Sequence, residues 1–199
     1  MGSGVRSTFA LAVIGVFVFC ATAAAERLIG TPKADRLVGS KGADFLSGRA
    51  GADLLIGRTG PDRLVGGPGN DLMRGRPGVD RLSGGPGADR LLGEAGKDRL
   101  LGQAGADKLI GAAAADRLLG GPEDDRLLGG PGPDILVGGP GRDEFNVAET
   151  GREAGAGGDD RIFAQDGTED LIDCGDGIDV VVVDASEDGV FDCEEIVEP

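Results

Sequence analysis

From Gly30 to Asn146 the chain repeats every nine residues without one slip of register, and no other feature limits its fold so tightly. Aspartate falls at Asp35, Asp44, Asp53, Asp62, Asp71, Asp80, Asp89, Asp98, Asp107, Asp116, Asp125, Asp134 and Asp143. Five residues before each of these thirteen stands a glycine, from Gly30 to Gly138. Two residues before, ten of the thirteen are glycine again, with Lys33, Ala114 and Glu123 as the exceptions. Two residues after comes a large apolar side chain, leucine except at Met73 and Phe145. Glycine makes up roughly 7% of ordinary sequence, so thirteen in one slot is no accident. The chain is a repeat array and has to be read as one.

Each unit divides into a turn and a strand. The turn is G-x-x-G-x-D, where glycine permits positive φ and close backbone approach. The strand is the triplet after the aspartate, such as Arg90-Leu91-Leu92, whose central side chain points to one face. A triplet is not stable alone, so neighbouring units must stack and share a core. Two units per coil give two parallel sheets with the leucines meeting between them, about seven coils and roughly 33 Å at about 4.8 Å per coil. Aspartates eighteen apart then stand over one another in two columns, where they repel unless a cation lies between them.

Composition points the same way. There are 39 glycines, no Trp, Tyr or His, and seven Phe, which is too few large side chains for a conventional interior. A net charge of -15 with so much glycine makes disorder the expectation without a ligand. The acidic excess argues against nucleic acid and for cations. Calcium suits stacked carboxylates and exposed turn carbonyls, because it takes six to eight oxygens in flexible geometry. Magnesium is stricter, and zinc lacks its usual His and Cys ligands here.

The unit GGPGADRLL (Gly84 to Leu92) and its twelve companions resemble the calcium-binding nonapeptide repeats of the RTX (haemolysin-type) proteins, G-G-x-G-x-D-x-U-x. The resemblance covers about 120 residues. It implies an all-β fold, a right-handed parallel β-roll or β-helix with two repeats per coil. It further implies Ca2+ held between turns by the thirteen aspartates and turn carbonyls, with aspartates two units apart sharing an ion. Three departures stand out. The second glycine is replaced by Arg49, Arg58, Arg76, Glu94 and others, which should crowd those turns. Lys33, Ala114 and Glu123 weaken the sites they border. Many family members leave the cell by a C-terminal signal, whereas this chain begins differently.

Residues 1–25 read as a secretory signal. Arg6 precedes an apolar run from Phe9 to Phe19 that is too short to span a bilayer, followed by small residues ending at Ala25. Cleavage is expected near Ala25, with Ala23 as the alternative, and Cys20 after the bulky Val18-Phe19 fits a lipid-anchored cysteine poorly. The product is expected to be extracellular, with no membrane span. The roll then occupies residues 26–146 and a degenerate capping region residues 147–199. After Asp143 the period breaks at an insertion spanning Glu144 to Ala154, then resumes around Asp160, Asp170, Asp179 and Asp188. Asp160 and Asp179 are further calcium candidates, and Asp170 and Asp188 poorer ones. Cys174 and Cys193 lie about one coil apart, and in an exported protein a disulfide is expected.

A basic residue follows the aspartate in eight units: Arg36, Arg63, Arg81, Arg90, Arg99, Lys108, Arg117 and Arg126. It should face solvent, either as a solvated charge or as part of a recognition stripe. The last strand position is apolar in nine units, which makes either an exposed ribbon for an unidentified surface or protein partner, or lateral packing beneath the arginine stems. No catalytic reading survives. Without His there is no catalytic triad or zinc helix, and neither a nucleophile elbow nor a phosphate loop is present. Paired carboxylates in the roll follow from the period, so none singles out a catalytic pair. Two functional classes remain: calcium binding coupled to folding, or a calcium-stiffened scaffold that binds something else.

Overall fold

The computed structural model describes residues 25–145, 159–164, 170–174, 178–183, 189–191, 193 and 195–197. The leader reading for residues 1–24, most of the expected insertion, and Asp188 lie outside the described residues. Nineteen strands run in chain order from β1 (Arg27–Ile29) and β2 (Arg36–Val38) to β18 (Gly189–Phe191) and β19 (Glu195–Val197), and no helix is present among the described residues. Odd-numbered strands form one ten-stranded parallel sheet and even-numbered strands a nine-stranded one. Strand n pairs only with n − 2 and n + 2, which is the topology of a solenoid with two repeats per coil.

Register is set eighteen residues apart, with Leu64 over Leu82 and Leu82 over Leu100 in one sheet, and Leu91 over Leu109 in the other. The central residue of each triplet points inward because side chains alternate along a strand. These central residues form the core: Leu46, Leu55, Leu64, Leu91, Leu100 and their equivalents are wholly buried, as are Met73 and Phe145. The core continues through Ile162, Ile172, Cys174 and Val181 of the tail. The middle of the roll departs from the triplet expectation. From β6 (Leu72–Pro77) to β10 (Lys108–Ala113) the strands are six residues long. Pairing there continues past the glycine, with Arg76 opposite Glu94 and Glu94 opposite Ala112.

In the tail, β15 (Arg161–Ala164) continues the odd-strand sheet and β16 (Leu171–Asp173) the even-strand one. Cys174 and Cys193 are joined by a disulfide across a Cα separation of 5.2 Å, within the range such bonds require. None of the nine apolar residues at the last strand position belongs to the exposed hydrophobics, and Val38 is buried. The other eight are half-buried, so the ribbon is partly shielded.

Candidate metal centre

The turn delivers each aspartate to the inside of the coil rather than to its rim. Asp44 to Asp143, together with Asp160, Asp170 and Asp179, are at most 3% exposed, and Asp35 at the open end is half-buried. One carboxylate oxygen is committed to the neighbouring coil. The backbone amide of Asp53 donates to Asp71 Oδ1 at 2.7 Å, that of Asp71 to Asp89 at 2.7 Å, and that of Asp89 to Asp107 at 2.7 Å. Aspartates eighteen apart stand over one another as expected and, beyond the effect of burial, raise one another's pKa values, but successive members are also joined by this amide bond, which the period did not reveal. Each carboxylate faces an amide donor, so the column is bonded before any cation enters.

Two unbroken ladders result. One runs Asp35, Asp53, Asp71, Asp89, Asp107, Asp125, Asp143 and Asp170. The other runs Asp44, Asp62, Asp80, Asp98, Asp116, Asp134, Asp160 and Asp179. Every candidate aspartate among the described residues lies in one of them. Asp170, ranked as a poorer candidate, also holds a full place, its Oδ1 accepting from the Asp143 amide at 2.7 Å. Gln165 and Thr168 stand in both of its glycine slots, which hid it; Ile172 in the apolar slot was the signal that mattered.

The second oxygen is the unusual one. From Asp53 to Asp134, Oδ2 of each ladder aspartate is buried with no hydrogen-bond donor. It lies against the first glycine of its own turn, at the place where a Cβ would stand. At Gly84 that place is met by Asp89 Oδ2 and by the carbonyl oxygen of Gly102 at 2.8 Å, and the pattern recurs at Gly48, Gly57, Gly66, Gly75, Gly93, Gly102 and Gly111. A carboxylate oxygen and a carbonyl oxygen thus converge with nothing between them to donate, an arrangement costly to bury. Only a proton or a cation resolves it. Burial pushes these carboxyls up, against the lowering effect of the amide bond. Asp125 and Asp134 reach about 8, Asp80, Asp89 and Asp116 about 7, and Asp53, Asp62 and Asp107 about 6. Asp71 and Asp98 are raised for the same reason. The donor set is hard oxygen throughout, as calcium prefers. Among the described residues no three acidic or cysteine side chains gather at one point, so a cation here would draw on one or two carboxylates and otherwise on carbonyls.

The first two units differ. Thr31 and Ser40 occupy the slot after the first glycine, and their backbone amides donate to Asp35 Oδ2 and Asp44 Oδ2 at 2.5 Å each. Their hydroxyls add further bonds to the same carboxylates. In the other eleven units this slot has left-handed φ, whether glycine or not: Arg49, Arg58, Arg76, Glu94, Gln103 and Ala112 lie between 79° and 87°. The amide is thereby turned to the next coil, as from Arg58 to the Gly75 carbonyl and from Gln103 to that of Gly120. The large residues at this slot are accommodated by left-handed backbone, at a cost of order 1 kcal/mol each. Ala114 and Glu123 are left-handed as well, whereas Lys33 is not.

Comparison with known proteins agrees with this geometry. The family model for the RTX calcium-binding nonapeptide repeat (four copies) matches in overlapping copies, at residues 21–55, 29–64, 47–82, 56–91, 74–109, 83–118, 92–127 and 119–147. No curated protein matches the chain.

Proposed function

Because the chain belongs to the RTX calcium-binding nonapeptide-repeat family, we propose that its activity is calcium binding coupled to assembly of the roll, in an exported protein without catalytic function. The observation that carries this reading is the row of buried, donorless carboxylate oxygens from Asp53 to Asp134, each beside the first glycine of its turn. Calcium, when bound, supplies the positive charge that lets those carboxylates remain ionised inside the coil. The chain's residues do the rest. The ladder aspartates present anionic oxygen, and the glycine turns present carbonyl oxygen at a closeness that a Cβ would forbid. The stacked leucines hold successive coils at constant spacing.

Among the aspartates proposed as ligands, Asp35 and Asp44 rank last, since Thr31 and Ser40 already occupy their second oxygens. These two turns are a start that needs no metal. Export follows from the apolar leader ending near Ala25 and accords with the disulfide. Residues 26–146 form the binding roll, and residues 147–199 continue it as a cap.

Titrating calcium into chelator-treated chain while recording far-UV circular dichroism tests the reading, with magnesium as control. A cooperative gain of β signal specific to calcium is expected. A chain equally folded in chelator at neutral pH would remove the coupling.

A further inference from the structure

The net charge of the sequence and the charge of the folded surface have opposite signs over the roll. Residues 26–146 contain seventeen Lys and Arg against eighteen Asp and Glu, and thirteen of those acids are the ladder aspartates. Burial of the ladder leaves five acids outside it, and four are engaged. Glu94 pairs with Arg76 at 3.4 Å and Glu144 with Arg126 at 2.6 Å. Glu123 accepts from the Gly105 amide at 2.7 Å and Asp124 from that of Arg142 at 2.9 Å. The exterior of the roll is basic.

Both sheets carry basic residues, and in one of them four form an unbroken file. In the odd-strand sheet Arg63, Arg81, Arg99 and Arg117 stand in register, one per rung, with no acid among the rungs. No acidic side chain pairs with any of the four among the described residues. Below them the column continues as Phe45, whose ring lies 5.3 Å from the Arg27 guanidinium and 6.0 Å from that of Arg63. The even-strand sheet is built otherwise. Its equivalent column reads Arg36, Leu54, Leu72, Arg90, Lys108, Arg126 and Glu144, interrupted by leucine and closed by an ion pair. Like charges on adjacent rungs repel. Solubility alone would be served by the mixed pattern of the second sheet. The first sheet keeps the repulsive one, bordered by a groove of about 410 Å³ lined by Arg81, Lys97, Arg99 and Arg117 and, at its inner wall, by the buried ladder residues Asp80, Asp98 and Asp116.

We propose that the Arg63–Arg81–Arg99–Arg117 column, with Phe45 at its foot, is a binding site for a linear polysaccharide carrying carboxylate or sulfate groups on successive sugars. The column is straight and single-file, with one guanidinium per rung of about 4.8 Å, close to the span of one sugar ring. The guanidinium fork matches planar carboxylate and sulfate oxygens. Phe45, between the Arg27 and Arg63 guanidiniums, anchors the foot of the column, and a curved duplex would meet only part of so straight a line. The inference rests on the calcium reading only in that the column exists when the coils are stacked.

The test measures binding of the full chain, in saturating calcium and low salt, to a heparin oligosaccharide (sulfate) and an oligogalacturonate (carboxylate), with oligo(dT) as comparison. Arg81→Ser with Arg99→Ser should weaken the preferred polysaccharide at least about tenfold. Arg90→Ser with Lys108→Ser on the other sheet should leave it within about twofold, as expected for a screened, distant charge. Equal losses in the two double variants, or equally tight binding of oligo(dT), would overturn the site in favour of general electrostatics. Circular dichroism of the same samples separates this inference from the previous one. A folded chain that ignores both polysaccharides overturns the column alone. A chain that folds without calcium and still binds them overturns only the calcium coupling. A chain folded in neither condition removes the column as well.

Discussion

In each ladder aspartate the two carboxylate oxygens meet different surroundings. Asp89 Oδ1 accepts from the Asp71 amide, while Oδ2 is buried beside the Gly102 carbonyl. Asparagine has the same shape but carries a donor in place of one oxygen. Asp89→Asn is therefore expected to keep the ladder, lose its share of bound calcium, and raise β content in chelator instead of lowering it. Calorimetric stoichiometry and circular dichroism check the two halves; a variant unfolded even with calcium would contradict the account. The aspartate register was legible from the nine-residue period alone, as were the leucines beneath it. The amide-to-carboxylate bond was not, because a period says which residues stand over one another and not which atoms meet. Thr31 and Ser40 show the same limit. They looked like two more replacements of the second glycine, and only the φ of that slot reveals that they turn their amides the other way.

At the scale of the strand, the two parallel sheets followed from the sequence because a triplet has no stability apart from its neighbours. The longer strands from β6 to β10 did not follow, since left-handed residues fill that slot in eleven units while only five extend their pairing past the glycine, and no local pattern announces which. The tail was readable from its apolar slots and much less so from its glycines, as Asp170 shows. Its last coils are also where the covalent bond lies. Cys174 is wholly buried in the core and Cys193 packs against it. Closing a loop of this length contributes about 3 kcal/mol by chain entropy. Reduction is expected to lower stability by about that amount. Hydrogen exchange should rise in β16 to β19 and stay unchanged in β6 to β10, where the leucine stack and the ladders are untouched. Uniform loss of protection along the roll would show that the cap is coupled to the whole.

At the scale of the molecule, the two ladders bury the aspartates of the roll, and this fixes how it should respond to pH without metal. Eight carboxyls between Asp53 and Asp134 have folded-state values of about 6 to 8, against 3.8 when unfolded, and burial raises Asp71 and Asp98 as well. Between those values the folded chain holds protons that the unfolded chain has released, so stability must fall as pH rises. Their contribution is fully present below about 3.8 and lost as pH climbs through 6 to 8. In chelator the roll is expected to show β signal at about pH 5 and to lose it by about pH 9, with calcium flattening the curve. The opposite slope, measured by circular dichroism across that range, would mean that the carboxylates are stabilised as anions by something other than metal.

The ladders also cross the break in the period. Rungs separated by 18 residues through most of the roll are separated by 26 between Asp134 and Asp160, 27 between Asp143 and Asp170, and 19 between Asp160 and Asp179. The bond across each junction is 2.7 or 2.8 Å all the same. Distance along the axis is thus counted in coils and not in residues. A corner of the roll is a socket into which sequence can be spliced, one residue or a whole unit, while everything above and below keeps its place.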